Sequence, residues 1–116
     1  MLFGLLPGTL DVLVLRALDE KPTHGYGVAR WVRDATDGEL TIEEGALYTA
    51  LHRLEKRGLL RADWRASETN RRAKYYILTA KGRRVLEQQT RAWRRTAGAL
   101  SKALDGRRRT APKASS

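Results

Sequence analysis

The chain has 116 residues, contains no cysteine and carries a formal net charge of +10. The lack of cysteine excludes disulfides, thiolate metal sites and thiol nucleophiles, and the length allows one domain or a small domain with an appendage. The net charge is −4 over residues 1–52, with four basic against eight acidic residues, and +14 over residues 53–116, with nineteen against five. This asymmetry favours an anionic partner that contacts the second half of the chain.

The beginning of the chain is apolar, but it does not have the form of a signal peptide. Pro7 and Gly8 interrupt the apolar run, Asp11 lies inside it, and no basic residue precedes it. No uncharged apolar stretch approaches the roughly 20 residues that cross a membrane as a helix. We therefore expect a soluble, cytoplasmic protein.

Two short helices are predicted before residue 40. The first has Thr9 as its N-cap and ends before Pro22, because proline disfavours helical geometry in the preceding residue. The second runs from about Gly25 to Ala35 and ends at turn-forming residues 36–38. Helical spacing predicts these core residues: Leu10, Leu13, Val14, Ala17 and Leu18 in the first helix, and Tyr26, Ala29, Trp31 and Val32 in the second.

A third helix, Glu43–Arg57, is predicted within residues 41–60. Thr41 and Glu44 have the spacing of a capping box, and Gly58 is the residue expected just past a helix end. Leucines at helical spacing form an apolar back. The opposite face carries donors and cations, namely Tyr48, Thr49, His52, Arg53 and Lys56. Such a face suits the major groove of DNA, and the tight turn before it is typical of a helix-turn-helix. Taken alone, the segment also fits an ordinary surface helix.

After Gly58 the sequence pattern changes from helical to alternating, which predicts a β-hairpin. Leu60, Ala62 and Trp64 fall on one side of the first strand, residues 66–72 form a polar loop, and residues 73–78 form the returning strand. Polar and cationic side chains near the tip are expected to contact phosphates or a minor groove; they are Asn70, Arg71, Arg72 and Lys74. The alternative is a loop whose charge only aids solubility. The fold class is mainly α, a winged helix-turn-helix with a β-hairpin wing.

A long final helix is predicted from Ala80 to Leu104, with Thr79 as its cap. It is too long to be covered by the small core before it, and one stripe is apolar: Leu86, Trp93, Ala97, Leu100 and Leu104. A second copy of the chain, in a two-fold dimer, is the favoured partner for this stripe. The predicted organisation is a winged-helix domain (1–79), a dimerisation helix (80–104) and a basic, disordered tail (105–116).

Four segments of the chain together resemble the PadR family of bacterial transcriptional regulators, in its short class with one C-terminal dimerisation helix. They are GTLDVLVLRAL (8–18), HGYGVAR (24–30), EEGALYTALHRLEKRGLL (43–60) and RRAKYYILTAKGRRVL (71–86). The resemblance implies a homodimeric winged-helix protein, usually a repressor, that binds a palindromic operator. By position, Tyr48 matches the family's recognition-helix tyrosine, and Lys74 and Tyr75 match its wing strand. Thr49 departs from the family pattern, in which proline commonly follows that tyrosine, so base contacts of relatives do not transfer.

Two features of this surface have competing interpretations. Glu43 and Glu44 repel phosphate, so helix capping is favoured over a hydrogen bond from a cytosine amino group. Trp93 is expected to pack at the dimer interface. Alternatively, two such indoles across the two-fold axis stack on a planar aromatic or cationic effector; small planar effectors bind near the dimer interface in similar family members.

No catalytic, cofactor or metal site is predicted. His24 and His52 are the only histidines, they lie on different helices, and no carboxylate spacing indicates a metal site. His24 is expected to cap or pack against the second helix, and His52 to meet DNA or solvent. We predict a homodimeric, sequence-specific DNA-binding transcriptional regulator, most simply a repressor released by a small molecule or another cue. The alternatives are an RNA-binding or protein-interaction winged helix without operator specificity; an enzyme is the weakest interpretation.

Overall fold

The computed structural model describes residues 8–106, which form a helical core, a small antiparallel sheet and a long terminal helix. In chain order, the elements are α1 (Thr9–Glu20), β1 (Thr23–His24), α2 (Gly25–Ala35), α3 (Glu44–Lys56), β2 (Leu60–Ala66), β3 (Arg72–Leu78) and α4 (Ala80–Asp105). The predicted winged helix-turn-helix is therefore present. The predicted tail lies outside the described residues, apart from Asp105, which ends α4, and Gly106.

The sheet has the order β1-β3-β2, and both pairings are antiparallel. The β2–β3 pair is the predicted hairpin, with Leu60 opposite Leu78 and Ala66 opposite Arg72. The third strand was not predicted, because two residues are too few for an alternating pattern. Thr23 and His24 pair with Tyr76 and Tyr75, so the segment before α2 is tied to the wing.

The helix starts show where local sequence signals failed. The N-cap of α1 is Gly8, in the left-handed region at φ 87, so the predicted Thr9 cap is wrong; glycine adopts this conformation without steric cost. The N-cap of α3 is Glu43, and no side chain caps this helix. The Thr41–Glu44 capping box is therefore wrong, because Glu44 is the first helical residue rather than the third.

The core lies where α1, α2 and α3 meet the sheet and the first turns of α4. Its members are Val14, Leu15, Ala17, Leu18, Val28, Leu47, Ala50, Leu51, Leu54, Leu59, Leu60, Tyr76, Leu78 and Leu86. Leu10 and Ala29 pack at its edge. Tyr26, predicted as a core residue, is 63% exposed, because α2 turns Val28 and Val32 inward and Tyr26 lies on a different side.

The start of α4 is fixed to the rest of the domain, whereas most of the helix is not. As predicted, Thr79 is the N-cap: its Oγ1 accepts a hydrogen bond from the Gly82 N–H at 3.0 Å. Leu86 is 5% exposed and belongs to the core cluster. Its predicted place in a dimer interface is thus corrected, since the chain's own core already covers it. Within residues 8–106, no helix has the length and apolarity needed to cross a membrane.

Candidate nucleic-acid interface

The exposed side of α3 is formed by residues opposite its buried stripe. The stripe comprises Leu47, Ala50, Leu51 and Leu54, and at 100° per residue the opposite side is centred on Thr49, His52 and Lys56. All three are exposed, and within residues 8–106 none of their side chains has a hydrogen-bond or ion-pair partner. Their donors are available to a ligand, as the sequence predicted for this face.

Arg53 flanks this exposed side towards α1, where it forms an ion pair with Asp11. Asp11 is half-buried in the first turn of α1, so the pair ties α1 to α3. Sequence reasoning missed this partner, and the only signal was a carboxylate inside an otherwise apolar run. If Arg53 contacts DNA, the DNA group must displace the Asp11 carboxylate from the Arg53 guanidinium or bind the guanidinium beside it.

Lys74 is held by a partner on the other flank of α3. Its Nζ lies 3.1 Å from Glu55 Oε1 and 5.4 Å from the centre of the Tyr76 ring. The hydrogen bond with Glu55 is the main cause that raises the pKa of Lys74 above its ordinary value and keeps the ammonium charged. The pair connects β3 of the wing to α3, so the predicted DNA residue Lys74 also has a structural contact within the chain.

Tyr48 reaches from α3 to the start of α2. A Cβ atom built on Gly25 would lie 2.7 Å from Tyr48 Oη and 2.8 Å from its Cζ, both closer than real Cβ contacts. The missing side chain of Gly25 therefore makes room for the tyrosine. The sequence identified Tyr48 as a site residue but gave no signal of this contact.

The wing tip is a tight turn built from residues 67–71. Asn70 has a φ of 64, a conformation that asparagine tolerates better than most residues, and its N–H donates to the Ser67 carbonyl at 2.8 Å. Arg72 stacks on Trp64, 5.4 Å from the ring centre. The Arg71 side chain has no pairing partner in the part of the chain that the structure describes. Asn70 thus shapes the tip, and Arg71 is its most available cation.

His24 joins the wing to α2. Its Nδ1 accepts a hydrogen bond from the Gly27 N–H at 3.0 Å, which confirms the predicted capping role. Because Nδ1 accepts, the neutral ring carries its proton on Nε2, which lies 3.3 Å from Glu68 Oε1. A backbone hydrogen bond, followed by the contact with His24, lowers the pKa of Glu68. Glu68 is therefore a carboxylate at neutral pH, and it accepts the hydrogen bond from His24 Nε2–H.

Two hollows on this side of the molecule meet at Tyr48. The larger one, about 790 Å³, lies between the wing and α2, and its aromatic and cationic lining comprises His24, Tyr26, Arg30, Tyr48, Trp64, Arg71, Arg72, Lys74 and Tyr76. The second follows the exposed side of α3 and is lined by Tyr48, Thr49, His52, Arg53, Lys56 and Arg57. The structure thus brings the predicted recognition helix and wing cations into one surface. It adds Tyr26, Arg30 and Trp64, which sequence reasoning did not select.

The remaining predicted site residues lie on α4, away from this surface. Trp93 and Leu100 are 40% and 46% exposed, Leu104 is 77% exposed, and Ala97 is half-buried. Their spacing places them on one side of the helix beyond Leu86.

Comparisons with known proteins place the fold and this surface in a family. Residues 14–88 match the model of the transcriptional regulator PadR-like family. A transcriptional regulator from Clostridium thermocellum superposes with a TM-score of 0.74 at 33% identity, covering 82% of this chain and 92% of that one. A PadR family transcription regulator from Clostridium difficile R20291 gives a TM-score of 0.72 at 32% identity, covering 84% and 99%. An uncharacterized protein of Lysinibacillus sphaericus is 29% identical over 89 residues, covering 77% of this chain and 82% of that protein.

The matched region includes the helix-turn-helix, the wing and the first turns of α4. It contains the surface formed by α3 and the wing, but not Asp11 and not the apolar side of α4 beyond residue 88. These similarities confirm the predicted winged-helix fold and the resemblance seen in the sequence. The chain belongs to the PadR-like family of transcriptional regulators and is a DNA-binding regulator rather than an enzyme.

Proposed function

We propose that the protein is a homodimeric, sequence-specific repressor that binds a palindromic operator. The observation that supports this most directly is the continuous surface formed by the exposed side of α3 and the wing, which meet at Tyr48. The Lys74–Glu55 pair links the wing to the helix. A duplex that accepts α3 in its major groove would then present its backbone or minor groove to the wing.

The apolar side of α4 supports the dimer. Trp93, Ala97, Leu100 and Leu104 follow one another at helical spacing, and at 1.5 Å per residue the 26-residue helix is roughly 39 Å long. A two-fold partner would cover this stripe and present two recognition helices, which fits half-sites about one helical turn of DNA apart. Occupying a promoter in this way would exclude the polymerase.

The proposed DNA-binding surface would make two kinds of contact, with bases and with phosphates. Thr49, His52 and Lys56 have unpaired donors at the centre of the exposed side of α3, where they would meet base edges. Arg71 and Arg72 lie at the wing and would meet phosphates, which supply affinity without sequence information.

A gel-shift titration tests the proposal as a whole. The DNA is the fragment upstream of the chain's own gene, measured over a salt series against an unrelated fragment of equal length and against structured RNA. A repressor prefers its operator over both competitors, with affinity that falls as salt rises. Equal binding to every duplex, or a preference for RNA, would contradict operator recognition.

We expect Arg71→Ala and Arg72→Ala each to weaken binding to specific and unrelated duplexes by similar factors. Each lost phosphate contact should also reduce the slope of log affinity against log salt by about one. Fluorescence anisotropy over a salt series measures both quantities. Arg95→Ala, which removes an exposed charge from α4, is the matched control and should leave the slope unchanged. An unchanged slope in both wing variants would remove the wing from the interface.

The proposed release signal is a planar aromatic effector that stacks on Trp93 near the dimer axis. Trp93 is accessible on the apolar side of α4, and an indole provides a large flat face for stacking. We expect planar aromatic compounds to quench tryptophan fluorescence saturably and to lower operator affinity. Trp93→Ala should abolish the quenching, whereas Trp64→Phe on the wing should retain it. Saturable quenching that persists without Trp93 would place the effector elsewhere.

A further inference from the structure

Gly45 lies on the recognition side of α3, although it carries no donor. It is the second residue of the helix and stands four residues before Thr49, seven before His52 and eleven before Lys56. These intervals place all four residues on one side of the helix. Gly45 is exposed, so the first turn of this side presents bare backbone.

Within residues 8–106, nothing in the chain's own fold requires glycine at position 45. Its φ is not positive, unlike those of Gly8, Gly38 and Gly58. A Cβ atom on Gly45 would meet only the Glu43 carboxylate oxygens, at 3.9 Å. By contrast, a Cβ on Gly82 would lie 2.2 Å from a backbone oxygen. Since glycine weakens a helix relative to alanine, its presence here points to a molecule outside the chain that needs the space.

The neighbouring carboxylate indicates what kind of group would enter. Glu43 occupies the N-cap position without making a side-chain capping bond. Its carbonyl oxygen accepts a hydrogen bond from the Leu47 N–H, but no hydrogen bond or ion pair engages its carboxylate in the described part of the chain. An unpaired carboxylate repels a DNA phosphate but accepts a hydrogen bond from an exocyclic amino group. In the major groove, the cytosine amino group is the usual donor to glutamate.

We propose that Gly45 lets a base edge of the operator reach the first turn of α3, where the Glu43 carboxylate accepts a hydrogen bond from a cytosine amino group. This rests on the proposed function and adds a specificity determinant to it. The glycine removes the steric barrier, and the carboxylate selects the base. The position of Glu43 at the start of a recognition helix, which is unfavourable for phosphate contact, then has a use in base selection.

The DNA probe for the test is a duplex selected from a randomised library by binding to the wild-type protein. Affinities for the selected duplex and for an unrelated duplex are then measured by fluorescence anisotropy. Gly45→Ala should bind the selected duplex at least about fivefold more weakly, the scale of one lost base contact, and the unrelated duplex with unchanged affinity. Its melting temperature should equal or exceed that of the wild type.

Gly98→Ala is the matched control, because Gly98 is also an exposed helical glycine and nothing lies within 4 Å of its Cβ position. It should leave both DNA affinities unchanged. In a parallel selection, Glu43→Gln should lose a cytosine preference at one position of each half-site, since an amide pairs better with adenine. If Gly45→Ala does not fold, the Glu43→Gln selection tests the proposal by itself.

The outcomes separate the inference from the function on which it rests. If wild type selects a site but Gly45→Ala binds it with wild-type affinity, the inference is overturned and operator recognition stands. An unchanged cytosine preference in the Glu43→Gln selection also overturns it. If wild type enriches no sequence, operator recognition itself fails, and the inference fails with it.

Discussion

Replacing Trp93 and Leu100 together with glutamate is expected to produce a folded monomer that binds operator DNA at least about a hundredfold more weakly than wild type. These side chains are seven residues apart on the apolar side of α4 and are 40% and 46% exposed in the single chain. In a two-fold dimer, each would face apolar surface or its own copy. Glutamates there place like charges in a desolvated interface, while their helix propensity keeps α4 intact.

We expect this loss of affinity because a monomer has only one DNA-binding surface. In a dimer, binding of one subunit to its half-site gives the other subunit a high effective concentration at the second half-site, which raises the overall affinity by a factor of about 10²–10⁴. Light scattering after size exclusion measures the mass of the variant, and circular dichroism measures its helix content. Fluorescence anisotropy measures its affinity for operator DNA. Ala99→Glu, at an exposed position off the stripe, should remain dimeric and bind normally. A double variant that stayed dimeric would show that this stripe is not the interface.

The second large effect is expected at Gly82, where the first turn of α4 meets Leu59, just before β2, and Leu78 at the end of β3. A Cβ atom at this position would lie 2.2 Å from the Leu59 carbonyl oxygen and 2.7 Å from Leu78 Cδ1. The oxygen is backbone and cannot rotate away, and it also accepts a hydrogen bond from the Thr79 N–H. Gly82→Ala therefore forces the wing and α4 apart. We expect a loss of about 3 kcal/mol in the free energy of unfolding, and a melting temperature lower by more than about 10 °C.

Thermal unfolding followed by circular dichroism, at one fixed protein concentration, measures this effect. Gly98→Ala is again the matched control: it is a helical glycine in the same α4, with open space around its Cβ position. That variant should be more stable than wild type by up to about 1 kcal/mol, because alanine has the higher helix propensity. If the two alanine variants melted at the same temperature, the close contact with Leu59 would not be a constraint in solution.

The sequence was sufficient for several elements that depend on neighbours along the chain. The bounds of α2 at Gly25–Ala35, the start of α4 after Thr79 and the left-handed Gly58 after α3 all agree with local signals. The hairpin followed from the alternation after Gly58. These features rest on capping, backbone conformation and periodicity, which act within a few residues. The predicted caps of α1 and α3 were wrong because both predictions assumed a capping side chain, whereas neither helix has one.

The tertiary structure decided which predicted site residues are available. Arg53 is paired with Asp11, Lys74 is paired with Glu55, and Leu86 is covered by the core, whereas no such partner engages Thr49, His52 or Lys56 within residues 8–106. It also showed that Gly25 makes room for Tyr48, while Gly45 makes room for nothing in the described part of the chain.

The sequence by itself thus determined the winged-helix fold, the donor-rich side of α3 and the cationic wing, because periodicity and local turn chemistry specify elements and their faces. Which of those charges have a partner within residues 8–106 was decided only by the tertiary structure. An ion pair such as Arg53 with Asp11 joins residues 42 positions apart, and no spacing rule along the chain predicts that two side chains so far separated will meet.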